Sequence, residues 1–437
     1  MRTRRRQKRG FTLVELMISL VMGLIVALAA VALARTATTT FYEQARISGV
    51  EANLRAASER LRSDLSRVAF MSTPNLQWDP QVARFPGTVG APFWNPTLTT
   101  LQGLRITPAA ARSLAQTSHA RNNLTPQEIH IAGNLTSDDV YRGTFISAAG
   151  GVGCGAAQVR LNADGDAAVR RMFNGSTDNN VQLQMTELVF TPGARMNPPV
   201  TTQYAVQVMD MRGCYHYLTV CNVLPSGQPN SVVLNLAGGI LTTAQTGGAV
   251  CGAQVMEEVA IAPVHRVRWR LGPETDPRRV DTVVEGAGAP NKLNLYRDLM
   301  DATGETPVGQ PELIAEYAVD LKLALVVNSQ TLPRSQPVFT NIDFEANDGE
   351  FAQWAGLVST PVVGPHRIRS VRYRLAFRAP LPDRRADLPI PPGPPYMSRY
   401  CMGGDPCTDW ARVRTVISEV MLFNQARADW AQTAGTP

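Results

Sequence analysis

Three groups of residues are of a type and spacing that could do chemistry. The first is a single carboxylate, Glu15, near the start of an otherwise apolar run over residues 11–34 whose other polar groups are hydroxyls. A carboxylate inside such a run costs roughly 2.5–3.5 kcal/mol when it enters a bilayer, so it calls for a cationic partner and marks a functional position. The second group is six cysteines, Cys154, Cys214, Cys221, Cys251, Cys401 and Cys407. The third is a pair of acidic turns, Asn162 with Asp164 and Asp166, and residues 343–350, which concentrate oxygen ligands around Gly165 and Gly349. These turns are candidate calcium sites, although neither has the spacing of the EF-hand loop with its terminal bidentate Glu; no other cofactor is called for. Catalytic motifs are absent: there is no H-E-x-x-H, G-x-S-x-G or Walker A run, and His119, His130, His216, His265 and His366 are scattered. The reading is therefore non-enzymatic.

The elements that must position these groups begin with a membrane segment. A helix over residues 11–34 is long enough to cross a hydrocarbon core of roughly 30 Å. Arg2, Arg4, Arg5, Arg6, Lys8 and Arg9 precede it. Positive flanks stay on the cytoplasmic side, so the large C-terminal part is expected outside the cytoplasm, anchored by a single pass through the inner membrane. Two simpler readings compete: an uncleaved signal anchor, which leaves Glu15 unexplained, and an ordinary secretory signal cut near Ala32-Leu33-Ala34, for which the apolar region is too long and carries a charge. Cleavage ahead of Phe11 would remove all six basic leader residues and take the formal net charge from +6 to 0. The basic balance is thus a topology signal and no argument for nucleic-acid binding.

The stretch Gly10-Phe11-Thr12-Leu13-Val14-Glu15 resembles the class III signal of type IV pilins and pseudopilins. The resemblance implies that prepilin peptidase cuts after Gly10, that Phe11 is methylated, and that Glu15 pairs with a Phe11 amine, its own or a neighbour's. It also implies partners: other minor pilins, the major pilin and the inner-membrane assembly platform, with the chain passing from the membrane into a fibre at the cell surface. Shorter blocks resemble PilW-like minor pilins: residues 61–70 around Leu61-Arg62-Ser63-Asp64-Leu65, then Val264-His265-Arg266-Val267-Arg268-Trp269, Leu295-Tyr296-Arg297-Asp298, Glu316-Tyr317-Ala318-Val319-Asp320, and a late strand over residues 369–378. Where that family usually has alanine and glycine after its first helix, this chain has Ala69 and Phe70. The function so implied is that of a non-catalytic minor pilin that primes fibre assembly and sits at the tip. The J-type minor pseudopilin of type II secretion and a pilus-tip adhesin are the alternatives.

Behind the leader (residues 1–10) and the spanning half (11–34), residues 35–73 contain no proline and place Ile47, Val50, Leu54, Ala57, Leu61, Leu65 and Val68 on one helical stripe. Pro74 ends the helix, residues 74–125 read as an irregular connection with a short helix over 108–116, and 126–437 as a β-rich head. Period-two runs predict strands over 127–132, 181–190, 204–209, 214–223, 232–236, 255–262, 265–271, 292–297, 319–327, 368–377 and 413–423. A hairpin turn is expected at residues 210–213, and residues 387–396 should be an extended proline-rich loop. The expected fold is α+β: a long N-terminal helix packed on antiparallel sheet, with about residues 135–255 forming an inserted β-rich subdomain. In an oxidising compartment the cysteines should form disulfides. Fifteen connectivities are open. The short spacings favour Cys214 with Cys221 and Cys401 with Cys407, leaving Cys154 with Cys251. A zinc site is disfavoured, since there is no C-x-x-C unit and His216 is the one histidine near any cysteine.

The N-terminus provides the first test. Mass spectrometry of the protein from cells with active prepilin peptidase should find a chain beginning at methylated Phe11. A chain beginning at Arg35 or Met1 would contradict the processing reading.

Overall fold

The computed structural model describes residues 12–83, 98–107, 122, 124–148, 153–192, 204–238, 251–273, 292–330, 337–357, 360, 362–382, 399–403 and 409–425. It divides into two units, residues 1–52 and 53–437. Helix α1 (Leu13–Ser66) is 54 residues long, about 80 Å at 1.5 Å per residue. Among the described residues it is the helix long and apolar enough to cross a membrane. Over residues 13–42 its large apolar side chains are bare, from Val21 at 53% to Leu13 at 77% exposed. Such a surface requires lipid or other helices.

In the second unit the elements follow in the order β1 (Leu104–Thr107), β2 (Glu128–Gly133), β3 (Tyr141–Ala148), β4 (Cys154–Asn162), α2 (Ala167–Met172), α3 (Asn179–Phe190), β5 (Tyr204–Met209), β6 (Tyr215–Pro225), β7 (Ser231–Ala237) and β8 (Glu258–Pro273). Next come β9 (Leu293–Met300), β10 (Glu312–Ala315), β11 (Ala318–Asn328), β12 (Phe339–Ile342), α4 (Asp348–Ala355), β13 (Ile368–Arg378), β14 (Arg399–Gly403) and β15 (Asp409–Met421). The fold is α+β, and every described pairing between these strands is antiparallel.

Strand β8 organises the sheets. Its C-terminal half pairs with β2 and β9, giving a first sheet in the order β1, β2, β8, β9, β10. Its N-terminal half pairs with β3 on one side and β5 on the other. Because β3 pairs with β4, β4 with β7, β7 with β6 and β6 with β5, the ring closes into a small barrel. Tyr141, Phe145, Val159, Leu161, Val206, Val208, Leu218, Val220, Leu234, Leu236, Val259 and Ile261 make its core, joined by Val169, Phe173 and Phe190 from the α2 and α3 region. Gly143 is required inside, since a Cβ there would stand 2.6 Å from Val159 Cγ1. A second sheet has the order β12, β11, β13, β15, β14.

Two expectations are corrected here. Residues 255–262 and 265–271 read as separate runs around Pro263, yet 258–262 and 265–271 lie in the single strand β8, and residues 255–257 precede it in a turn. Pro263 lies where β3 has ended, at Ile261, and β2 has not yet begun, at His265. A missing N–H costs least in such a gap. Residues 181–190 read as a strand because Val181-Gln182-Leu183-Gln184-Met185-Thr186 alternates, but they lie in α3. Gln182, Thr186 and Phe190 are the buried positions, a spacing of four, and Asp178 caps the helix by accepting from Asn180 N at 2.8 Å. The hairpin turn at 210–213 is present, with Gly213 at φ +82° and Asp210 Oδ1 accepting from the Arg212 and Cys214 amides. The short helix over 108–116 and the loop over 387–396 lie outside the described residues.

The distal end of α1 is fixed by buried polar contacts. Asp64, 2% exposed, accepts from Trp269 Nε1 at 2.9 Å and from Arg297 Nε at 2.7 Å. Ser58 Oγ bonds the Tyr373 hydroxyl of the second sheet at 2.8 Å. The chain then turns with Ala69 at φ +56° and Met71 at φ +48°. The facing strand comes close to this turn: a Cβ at Gly133 would lie 2.4 Å from Arg67 O. Removing Asp64 strands the buried indole N–H of Trp269 and takes from Arg297 its buried partner, leaving that guanidinium with Glu312 at 3.2 Å. Asp64→Ala should lower stability by about 3–5 kcal/mol, as expected when one partner of a buried pair is deleted, and Asp64→Asn by less because an acceptor for Trp269 remains. Urea denaturation of the purified variants measures both.

Candidate functional site

The first turn of α1 carries the residues with a functional reading. Gly10 and Phe11 lie outside the described residues; Thr12 and Glu15 are described. Thr12 O accepts the first helical bond, from Leu16 N at 3.1 Å. Thr12 N donates to Glu15 Oε2 at 3.4 Å, and Glu15 N donates to Thr12 Oγ1 at 3.3 Å. This reciprocal pair is a capping box, the Thr-x-x-Glu arrangement that satisfies two otherwise orphan amides at a helix start. Both contacts are longer than the usual 2.7–3.2 Å, so the carboxylate is held loosely. It is nevertheless turned back toward residue 12. At this end the helix dipole also favours a negative charge. Thr12 escapes notice in the sequence as one of a few hydroxyls, although Thr12 followed three residues later by Glu15 is the signal that finds it.

The expected cysteine pairing is corrected. The described bridges are Cys154–Cys221, with Cα atoms 6.0 Å apart, and Cys214–Cys251, at 5.6 Å. A Cys214–Cys221 bridge is impossible here because Cys214 immediately precedes β6 and Cys221 lies within it. Seven residues of extended chain span about 23 Å, against the 4.4–6.8 Å a disulfide allows. Cys154 with Cys251 is overturned as well, since each is paired elsewhere. Cys401 is also disulfide-bonded; Cys407 lies outside the described residues.

Most oxygens of the two acidic turns are engaged in local structure. Asp166 caps α2 through Ala168 N at 2.9 Å and accepts from Arg142 N at 2.6 Å. Asn347 caps α4 through Glu350 N at 2.9 Å. Glu345 pairs with Lys322 at 3.0 Å and Arg374 at 3.1 Å, and these cations hold its carboxyl below the usual range despite partial burial. Among the described residues no group of three or more His, Cys, Asp or Glu is arranged to hold a metal ion. One pair has the outline of a catalytic dyad, His216 Nε2 with Asp210 Oδ2 at 3.2 Å, but both side chains are wholly buried. Burial raises the Asp210 pKa, and the hydrogen bonds from His216, Gly252 N and Cys214 N outweigh it, leaving the group below its ordinary value. Asp210 therefore clasps the two backbone segments that the Cys214–Cys251 bridge joins.

Residues 5–31 match the prokaryotic N-terminal methylation motif. The match covers the processing junction and Glu15, and it supports a type IV pilin-like protein that is structural in role. Neither curated proteins nor solved structures give a significant match to the chain.

The bridges can be checked directly. Non-reducing peptide mapping should recover linked peptides containing Cys154 with Cys221 and Cys214 with Cys251. A peptide closed between Cys214 and Cys221 would contradict the arrangement.

Proposed function

We propose that this chain is a minor pilin of a type IV pilus. It is held in the inner membrane by the first part of α1, with the remainder outside the cytoplasm, and is cut after Gly10 by prepilin peptidase. It then joins other minor pilins and the major pilin on the assembly platform, primes the fibre and stays near its tip. The observation that carries the reading is Glu15: a carboxylate at the head of a bare apolar helix, within a methylation motif, whose described contacts are confined to its own first turn. A charge pair with an amine in a low-dielectric helix bundle supplies what that turn lacks.

The PilW-like reading is the finer part of this proposal, and three of the blocks it rests on meet in the structure. Asp64, Trp269 and Arg297 come from three separate blocks and meet in one buried contact. The J-type pseudopilin shares the signal, so a deletion strain separates the two: loss of pili with normal type II export supports the pilin reading, and the reverse supports the pseudopilin.

Two variants test Glu15. Glutamine retains an oxygen that can complete the capping box, whereas alanine does not, and neither carries charge. Both Glu15→Ala and Glu15→Gln should insert and be processed normally yet lower pilus yield at least roughly tenfold, the factor that follows from losing about 1.4 kcal/mol of pairing. Full piliation with Glu15→Gln would show that the cap suffices and would overturn the assembly role of the charge.

A further inference from the structure

The barrel has a feature that neither the membrane motif nor the pilin reading requires. Its strands, β3 to the first half of β8, are consecutive in sequence, and every buried residue of its core lies between Tyr141 and Ile261. Both described bridges whose cysteines are known, Cys154–Cys221 and Cys214–Cys251, also lie inside it. The chain leaves the first sheet after Gly133 and returns at His265, and these two residues face each other as register partners on β2 and β8. Partners across an antiparallel pair have Cα atoms about 4.5–5.5 Å apart. A two-residue turn could close that gap.

From this geometry we propose that residues 135–264 are a self-contained module inserted into the turn of a β2–β8 hairpin. The module is dispensable for fibre assembly. Assembly is carried by α1 and by the two sheets that hold it through Asp64 and Tyr373, whose bonds here are to Trp269, Arg297 and Ser58, all outside the module; just beyond α1, Arg67 reaches the start of the module at Asp138 and Ser137. The module meets the body through a smaller apolar contact: Ala205, Tyr217 and Val264 pack with Leu76, Val82, Leu98, Leu101, Ala132 and Ala302. The backbone of residues 81–83 also bonds to Tyr215. That contact orients the barrel, while the barrel's own closed ladder and bridges hold it together.

Autonomy of the module stands on geometry alone, whereas its dispensability rests on the minor-pilin reading, and the experiment separates them. In a strain lacking the chain, the wild-type gene and a variant in which residues 135–264 are replaced by one glycine are supplied in turn. The variant joins Gly133 and Asn134 to His265 through an Asn-Gly turn. If the wild type does not restore pili, the minor-pilin reading fails. If the wild type restores them, the variant is expected to do so to the same level, with normal processing. A variant that is processed but leaves the cells bald, or that does not accumulate, overturns dispensability. Deletion bares Leu76, Leu98 and Leu101, so the intact chain is tested as well. Hydrogen exchange in detergent with rising denaturant should release peptides of β4 and β7 in one step and those of β11 and β13 in another. A single common step would overturn autonomy whatever the variant does.

Discussion

One strand must satisfy four partners, and most of the head follows from how β8 does so. Along its sixteen residues the pairing passes from β3 and β5 to β2 and β9. Odd-numbered side chains keep to one face throughout. Val259 and Ile261 fill the barrel, and further along Trp269 reaches the carboxylate of α1. Even-numbered Arg266, Arg268 and Arg270 take the other face, where Asp298 receives both Arg268 and Arg270 at 2.6 Å. A one-residue slip would turn Arg266, Arg268 and Arg270 to the face that Trp269 occupies and take Val259 and Ile261 out of the barrel, so register here is strongly determined.

The two carboxylates at the ends of α1 show how differently one helix uses the same chemistry. Asp64 is buried and answered within the chain by an indole and a guanidinium, a cost met during folding. Glu15 stands among bare apolar side chains, and its described contacts are the loose bonds of its own capping box. Folding satisfies the first, whereas membrane entry or assembly must satisfy the second. A carboxylate that is costly in lipid and incompletely answered by its own turn biases the helix toward whatever cation a neighbour presents.

The parts legible in the sequence are those with long, unambiguous periods. The apolar run, the stripe around Leu54, Leu61 and Leu65, and strands such as β11 and β13 emerge from spacing alone. Short strands without alternation, β1, β10, β12 and β14, do not, nor do β3 and β4, whose runs contain Gly143 and Gly155. The helix α3 is hidden by an alternating sequence that only its caps and spacing of four can unmask. The cysteine pairing fails for a different reason. A strand that runs from residue 214 to residue 223 holds Cys214 and Cys221 too far apart to bridge, so the expected strand and the expected disulfide exclude each other on chain geometry alone.

The corrected bridges also explain why the barrel can be small. A ring of this size encloses few side chains, and Val169, Phe173 and Phe190 of the α2 and α3 region add to them. Cys154–Cys221 pins the start of β4 near β6, while Cys214–Cys251 ties the β5–β6 turn to the segment leading into β8. Asp210 reinforces the second link by accepting from the amides of Cys214 and Gly252. The links close loops of 67 and 37 residues, and restricting the unfolded chain over loops of that length contributes roughly 4 kcal/mol each in the chain-entropy model. In an oxidising compartment that contribution replaces part of the apolar burial a larger domain would have supplied. The barrel therefore draws part of its stability from within its own boundaries, while the other two sheets draw part of theirs from the distal end of α1.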